Sequence, residues 1–183
     1  KANGLNINNL HSSYTPGIGP NNNTVFAYRT AAKILSDNMS SRINILTIPG
    51  IRDSFVTDHA QDLTREYGQA IYLMDIPSYD KDNVRRYDGS DAAVSVNRTI
   101  EQFEGRQIDN NFTATYFPDV QIEDDDNNNR VVGVPASVVA LGAIGFNDSI
   151  AYPWFAPAGF NGGGLTDGAA GIPITSVSEI KYL

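Results

Sequence analysis

A mixed α/β fold, with helix-covered strands, at least one βαβ unit and a β-hairpin at about 112–134, is the class this sequence predicts. Three observations carry it. Residues 43–48 (INILTI) and 70–76 (AIYLMDI) are short, nearly unbroken apolar runs, the pattern of strands covered on both faces. Between them lies a segment of helical period, giving the strand–helix–strand spacing of a crossover unit. Residues 112–134 add alternating ring and β-branched positions, an acidic turn and a second apolar run.

Taken in order, residues 1–23 are polar and punctuated by TPGIGP and NNN, and read as an extended arm or a loop. Asn23 and Thr24 offer a cap for a helix over 25–39, with Phe26, Ala32 and Leu35 on a shared face. Arg29 and Lys33 then lie one turn apart on a solvated face. The strand at 43–48 stops at Pro49-Gly50. Asp53 or Ser54 caps the next helix, which runs to Tyr67 with Val56, His59 or Ala60, and Leu63 on one side. Gly68 suits the position just past its end. After the strand at 70–76, residues 78–91 are charged and irregular. Ala93, Val96, Ile100 and Phe103 then recur at helical spacing up to Gly105.

Residues 112–117 form the next strand, which Pro118 interrupts because proline cannot donate to a ladder. Val120 to Ile122 resumes it, residues 123–129 turn, and 131–134 return. Pro135 closes that strand, and Ser137 caps a helix of small apolar residues to about Phe146. The run that follows, with Tyr152, Pro153, Trp154, Phe155, Pro157 and Phe160, reads as a packed corner. Trp154 is expected to be buried against the helix at 137–146. Residues 161–183 are a Gly-rich tail.

Composition permits one such domain. A chain of 183 residues with 41% hydrophobic content buries roughly 70% of its extended-chain surface on folding. The net charge of −8 argues against nucleic acid or an anionic membrane as partner. With no cysteine there is neither a disulfide framework nor thiolate chemistry. No apolar run approaches a membrane span of ~18 residues, and residues 1–23 carry no apolar signal-peptide core. The chain opens on Lys1 rather than Met, and is expected to be a piece of a longer one.

A convergent catalytic set is not found. Asp58, His59 and Asp62 share a helix side only loosely and lack the HExxH word; they read as surface acids beside a boundary histidine. Asp124, Asp125 and Asp126, with Glu123 and Asp119 nearby, lack the alternating ligands, glycine and terminal glutamate of a calcium loop, and read as a solvated turn. Gly162 to Gly164 is followed by no Gly-Lys-Ser/Thr, and no nucleophile elbow is present. Catalytic, cofactor-binding and metal-ligating residues are therefore assigned to none.

Five short words, in order, carry a resemblance. They are Ile48-Pro49-Gly50-Ile51, Met74-Asp75-Ile76-Pro77, Tyr116-Phe117-Pro118, Val134-Pro135-Ala136-Ser137 and Trp154-Phe155-Ala156-Pro157-Ala158-Gly159. In that order they resemble the core of the contractile-tail sheath proteins of bacteriophages and related contractile injection systems, over roughly residues 43–160. The resemblance implies a structural protein of the virion tail, assembled in the host bacterial cytoplasm, and not an enzyme. It implies other copies of the sheath subunit, an inner tail tube protein, and baseplate and tail terminator proteins as partners, with no nucleic acid, membrane or cofactor. In that family terminal arms add strands to a neighbour's sheet, and contraction exchanges two packings of rigid subunits. By the same resemblance residues 24–160 are the core domain, and 161–183 lead toward a C-terminal part not contained in this chain. The competing reading is an α/β enzyme with an acidic ligand or metal site at strand ends, near Asp75 or Asp119.

Overall fold

The computed structural model describes residues 22–86, 93–124, 130–157 and 174–177. Among these residues the architecture is mixed α/β: four helices, a three-stranded parallel sheet and a separate antiparallel sheet. Expectations for the arm, the acidic turn after Asp124 and the Gly-rich tail before Ile174 lie outside the described residues.

Helix α1 (Asn23–Leu35) starts where the Asn22 side chain accepts the Thr24 amide at 2.8 Å, one residue before the expected cap. It ends at Leu35, four residues earlier than expected, with Ser36 as its C-cap. Its buried positions are Val25 and Ala32, while Phe26 and Leu35 are exposed, which corrects the face predicted for them. The phase is set by docking on the next helix. Val25 packs with Ile51 and Val56, and Arg29 Nε donates to the Phe55 carbonyl at 2.8 Å instead of lying free in solvent.

Strand β1 (Ile45–Thr47) leads through the Pro49-Gly50 turn to α2 (Ser54–Tyr67). Asp53 caps α2 by accepting the Phe55 amide at 2.9 Å. Gly68 closes it in the left-handed region at φ 68°, where a side chain would be strained. Strand β2 (Ile71–Met74) pairs parallel with β1, Leu46 opposite Tyr72, which completes the predicted βαβ unit. Tyr72 and Met74 point to one face and Leu73 to the other, yet all three are buried, so β2 is covered on both sides.

Helix α3 (Val96–Glu104) is capped by Ser95 and buries Thr99, whose hydroxyl accepts the Tyr79 amide at 3.1 Å. Val96 and Ile100 are exposed, contrary to the spacing argument, and Phe103 alone of the four reaches the core. A polar staple between Tyr79 and Thr99 has fixed the helix phase in place of an apolar stripe.

Strand β3 (Thr113–Thr115) then joins the parallel sheet, Tyr72 opposite Thr113. This corrects the expected hairpin at 112–134: residues 113–115 belong to the first sheet. The hairpin proper is β4 (Val120–Asp124) with β5 (Arg130–Val134), antiparallel, Ile122 opposite Val132. The Phe117–Pro118 peptide bond between the sheets is cis. Helix α4 (Ala136–Ile150) follows directly, and β6 (Ile174–Val177), within the segment read as a tail, pairs antiparallel with the free side of β4.

The apolar core sits under α1 and α2. One cluster gathers Ala32, Leu46, Ala60, Tyr72 and Met74; the other gathers Val25, Ile51 and Val56.

Candidate functional site

Asp75 lies one residue past β2 and is 3% exposed. Its Oδ2 accepts the Gly50 amide at 2.9 Å and the Ser137 hydroxyl at 2.7 Å, and its Oδ1 accepts the Ser137 amide at 3.1 Å. The three bonds bring three parts of the chain together: the end of β2, which carries Asp75, the Pro-Gly turn after β1 with Gly50, and the first turn of α4 with Ser137. Gly50 holds φ 77°, and a Cβ built there would lie 3.7 Å from Pro135 Cγ. The Pro-Gly turn and the strand-to-helix junction are therefore in contact beside the carboxylate.

The electrostatics suit an anion. Ser137 is the second residue of α4, and the exposed amides of a helix N-terminus carry partial positive charge. Three of about four acceptor directions of the carboxylate are taken. Pro135 occupies the cap position and has no side-chain cap bond to give, so Asp75 acts as the cap from a distant strand. The expected role of Ser137 as N-cap is corrected accordingly: it is inside the helix and donates to Asp75. The helix also extends past Phe146 to Ile150.

A second tie runs parallel to the first. Arg52, two residues after Gly50, forms an ion pair with Asp119, which follows Pro118. Both side chains are mostly buried. Asp75 and Asp119, the two acids proposed for a strand-end site, are thus both committed to holding elements together. Burial, with the Asp75 charge adding to it, raises the neighbouring Tyr72 phenol well above its ordinary value, while Arg106 opposes the rise.

Other candidates are dispersed. Asp58 pairs with Arg106, whose Nη2 also donates to Thr57 Oγ1 at 2.8 Å, and Asp62 lies 3.9 Å from Arg65. Burial, and then the Arg29 charge, hold the His59 imidazole below its usual value, with Asp62 and Glu66 opposing. Among the described residues no group of three or more metal-ligating side chains forms. No helix among them is long and apolar enough to cross a membrane.

The aromatic run after α4 overturns the packed-corner expectation. Trp154 is 77% exposed, Tyr152 63% and Phe155 56%. Tyr152 and Trp154 stack on each other, centroids 4.8 Å apart and rings 1° from parallel, and Phe155 leans on Tyr152 at 6.2 Å. The run is tied back through Asn147, whose side-chain amide donates to the Phe155 carbonyl at 3.0 Å. Helix α4 packs on β2 of the parallel sheet, while Trp154 stays in solvent. Val139, Ala143 and Ile144 line a cavity of about 330 Å³ with Phe117, Pro118 and Val120.

Sequence reasoning missed the Arg52–Asp119 pair and the Arg106 anchor. The only available signal was an arginine directly after the Pro-Gly turn and an acid directly after Phe-Pro, two facts that pair only in three dimensions. Compared with known protein families, curated proteins and solved structures, the chain matches none.

Proposed function

We propose that this chain is the core portion of a contractile-tail sheath subunit, a structural protein that polymerises around an inner tail tube and contracts to drive that tube through a target-cell envelope. The observation that carries the reading is the meeting of sequence words at Asp75. Met74-Asp75-Ile76-Pro77, Ile48-Pro49-Gly50-Ile51 and Val134-Pro135-Ala136-Ser137 are far apart in the chain, yet the carboxylate of the first bonds the other two. The Tyr116-Phe117-Pro118 word is fastened to the same place through Asp119 and Arg52.

Words that recur in order because they build one joint are scaffold signatures, not substrate contacts. A subunit that must pass force to its neighbours needs such a joint between its sheets. The partners on this reading are other copies of the subunit, the tube protein, and baseplate and terminator proteins. Function is argued from this joint and the motif order, since a mixed α/β fold by itself hosts many activities.

The test is to express the intact reading frame that contains this chain, alone and with its neighbouring tube gene, and examine the particles by negative-stain microscopy. Hollow sleeves of regular pitch, in a long and a short form, are the expected result. Dispersed particles under all assembly conditions, with a bound small-molecule substrate, count against it.

A further inference from the structure

Besides the side that packs on β2, α4 has a second apolar side. Ala136, Val139, Ala140, Ala143 and Ile144 recur at helical spacing and line the cavity, with Phe117, Pro118 and Val120 opposite. Asn147 continues the same stripe and holds the Phe155 carbonyl, which fixes the aromatic run at the helix end. Pro157, two residues past Phe155, lines the cavity as well. An apolar hole and a stack of exposed rings therefore lie on one side of one helix, the hole toward its start and the rings at its end.

Each fits the other. The described residues lining the cavity carry no charge, and an apolar cavity of ~150 Å³ already admits a benzene ring. One of about 330 Å³ has room for an indole. Tyr152, Trp154 and Phe155, each more than half exposed, leave roughly 400 Å² of aromatic surface in water. A patch of that size on a single chain often marks an interaction site. Charge does not guard it: Asp148 is the one charged residue between positions 131 and 157, so almost all of the net charge of −8 is carried elsewhere.

Two α4 helices laid side by side and antiparallel bring the end of each to the start of the other. Both ring stacks then meet both cavities in a two-fold exchange. Rings plus matching cavity wall give each copy roughly 800 Å² of contact, the area a standard stable interface needs.

We infer that two copies of this chain pair through α4, the Trp154 ring of each seated in the other's cavity beside Phe117 and Pro118. The inference stands on packing alone and does not rest on the sheath reading.

Sedimentation of the full chain from about 1 to 500 µM, a range suited to an interface of this size, tests it. The mass is expected to rise from one chain to two. Trp154 is the only tryptophan, so its emission, water-like in the dilute chain, should move to the blue in step with the mass. Trp154→Ala removes the ring and leaves the cavity; Ala143→Phe fills the cavity and leaves the ring. Each is expected to weaken pairing about tenfold or more. An equal mixture of the two should pair more tightly than either alone, because one ring still finds one open cavity. Should Ala143→Phe fail to fold, Trp154→Ala and the emission shift decide the matter. A single chain at every concentration, pairing that Trp154→Ala leaves unchanged, or a mixture no tighter than its parts overturns the proposal. A lowered urea midpoint for Ala143→Phe, with the unaltered chain always single, would mean that the cavity is filled from within the chain, which also overturns it.

Discussion

In the parallel-sheet half, Tyr72, Leu73 and Met74 lie sealed between layers, whereas in the hairpin half Tyr152, Trp154 and Phe155 stand in solvent and α4 looks onto a cavity. Both halves are rich in apolar residues, so composition does not separate them. Layering does. Strand β2 has a neighbour on each edge and cover on each face, so beyond Ile71 at its start Tyr72, Leu73 and Met74 are buried whichever way they point. Among the described residues the run after α4 is tied to the end of that helix through Asn147, and its rings cover one another. An aromatic residue is buried by what is placed against it, and a local sequence says little about that.

The contrast can be broken first where it is strongest. Tyr72→Ala removes a fully buried ring from the centre of the core, and is expected to cost about 3–5 kcal/mol in urea unfolding. A loss below about 1 kcal/mol would mean that the core does not depend on β2. Next comes the joint between the halves. Asp75→Ala leaves the Gly50 amide, the Ser137 amide and the Ser137 hydroxyl without their acceptor, for an expected loss of about 3 kcal/mol. Calorimetry should show this loss as a lower, broader transition.

At the exposed end, Trp154→Ala is expected to change stability by less than about 0.5 kcal/mol, because a 77% exposed ring has little burial to lose. Trp154 is the only tryptophan, so the intact protein should emit at a long, water-like wavelength that barely shifts on unfolding. A blue emission with a marked loss on substitution would restore the packed corner. The smallest effect is a pH slope. His59 is held below its unfolded value of 6.5, so the folded state disfavours its protonation. Its contribution is present above that value and is lost as pH falls through the folded one. Urea midpoints at about pH 7.5 and pH 5.5 should therefore converge in His59→Gln relative to the unaltered protein. An unchanged difference would assign the acid sensitivity elsewhere.

Much of the first half was legible in the chain because its signals are local. The INILTI and AIYLMDI runs, Asp53 before a helix and Gly68 after it act within a few residues of themselves, and each appears where its chemistry requires. The phases of α1 and α3 were not legible. They are set by Arg29 reaching the Phe55 carbonyl and by Thr99 holding the Tyr79 amide, contacts whose partners are remote in sequence. Residues 112–122 misled for a related reason. Their β pattern is real, but pattern alone does not say that 113–115 pairs with β2 while 120–124 pairs with β5. Of the joint, the words themselves were visible, while the fact that Asp75 binds two of the others was not.

That joint is the most direct place to test the account. A double-mutant cycle between Asp75→Asn and Ser137→Ala, measured by equilibrium unfolding, isolates the bond between a strand of one sheet and the helix of the other. A coupling of about 1 kcal/mol or more is expected, with the double variant no worse than the more damaging single one. Simple additivity, each change costing the same whether or not the other is present, would contradict the claim that Asp75 is what fastens the two halves together.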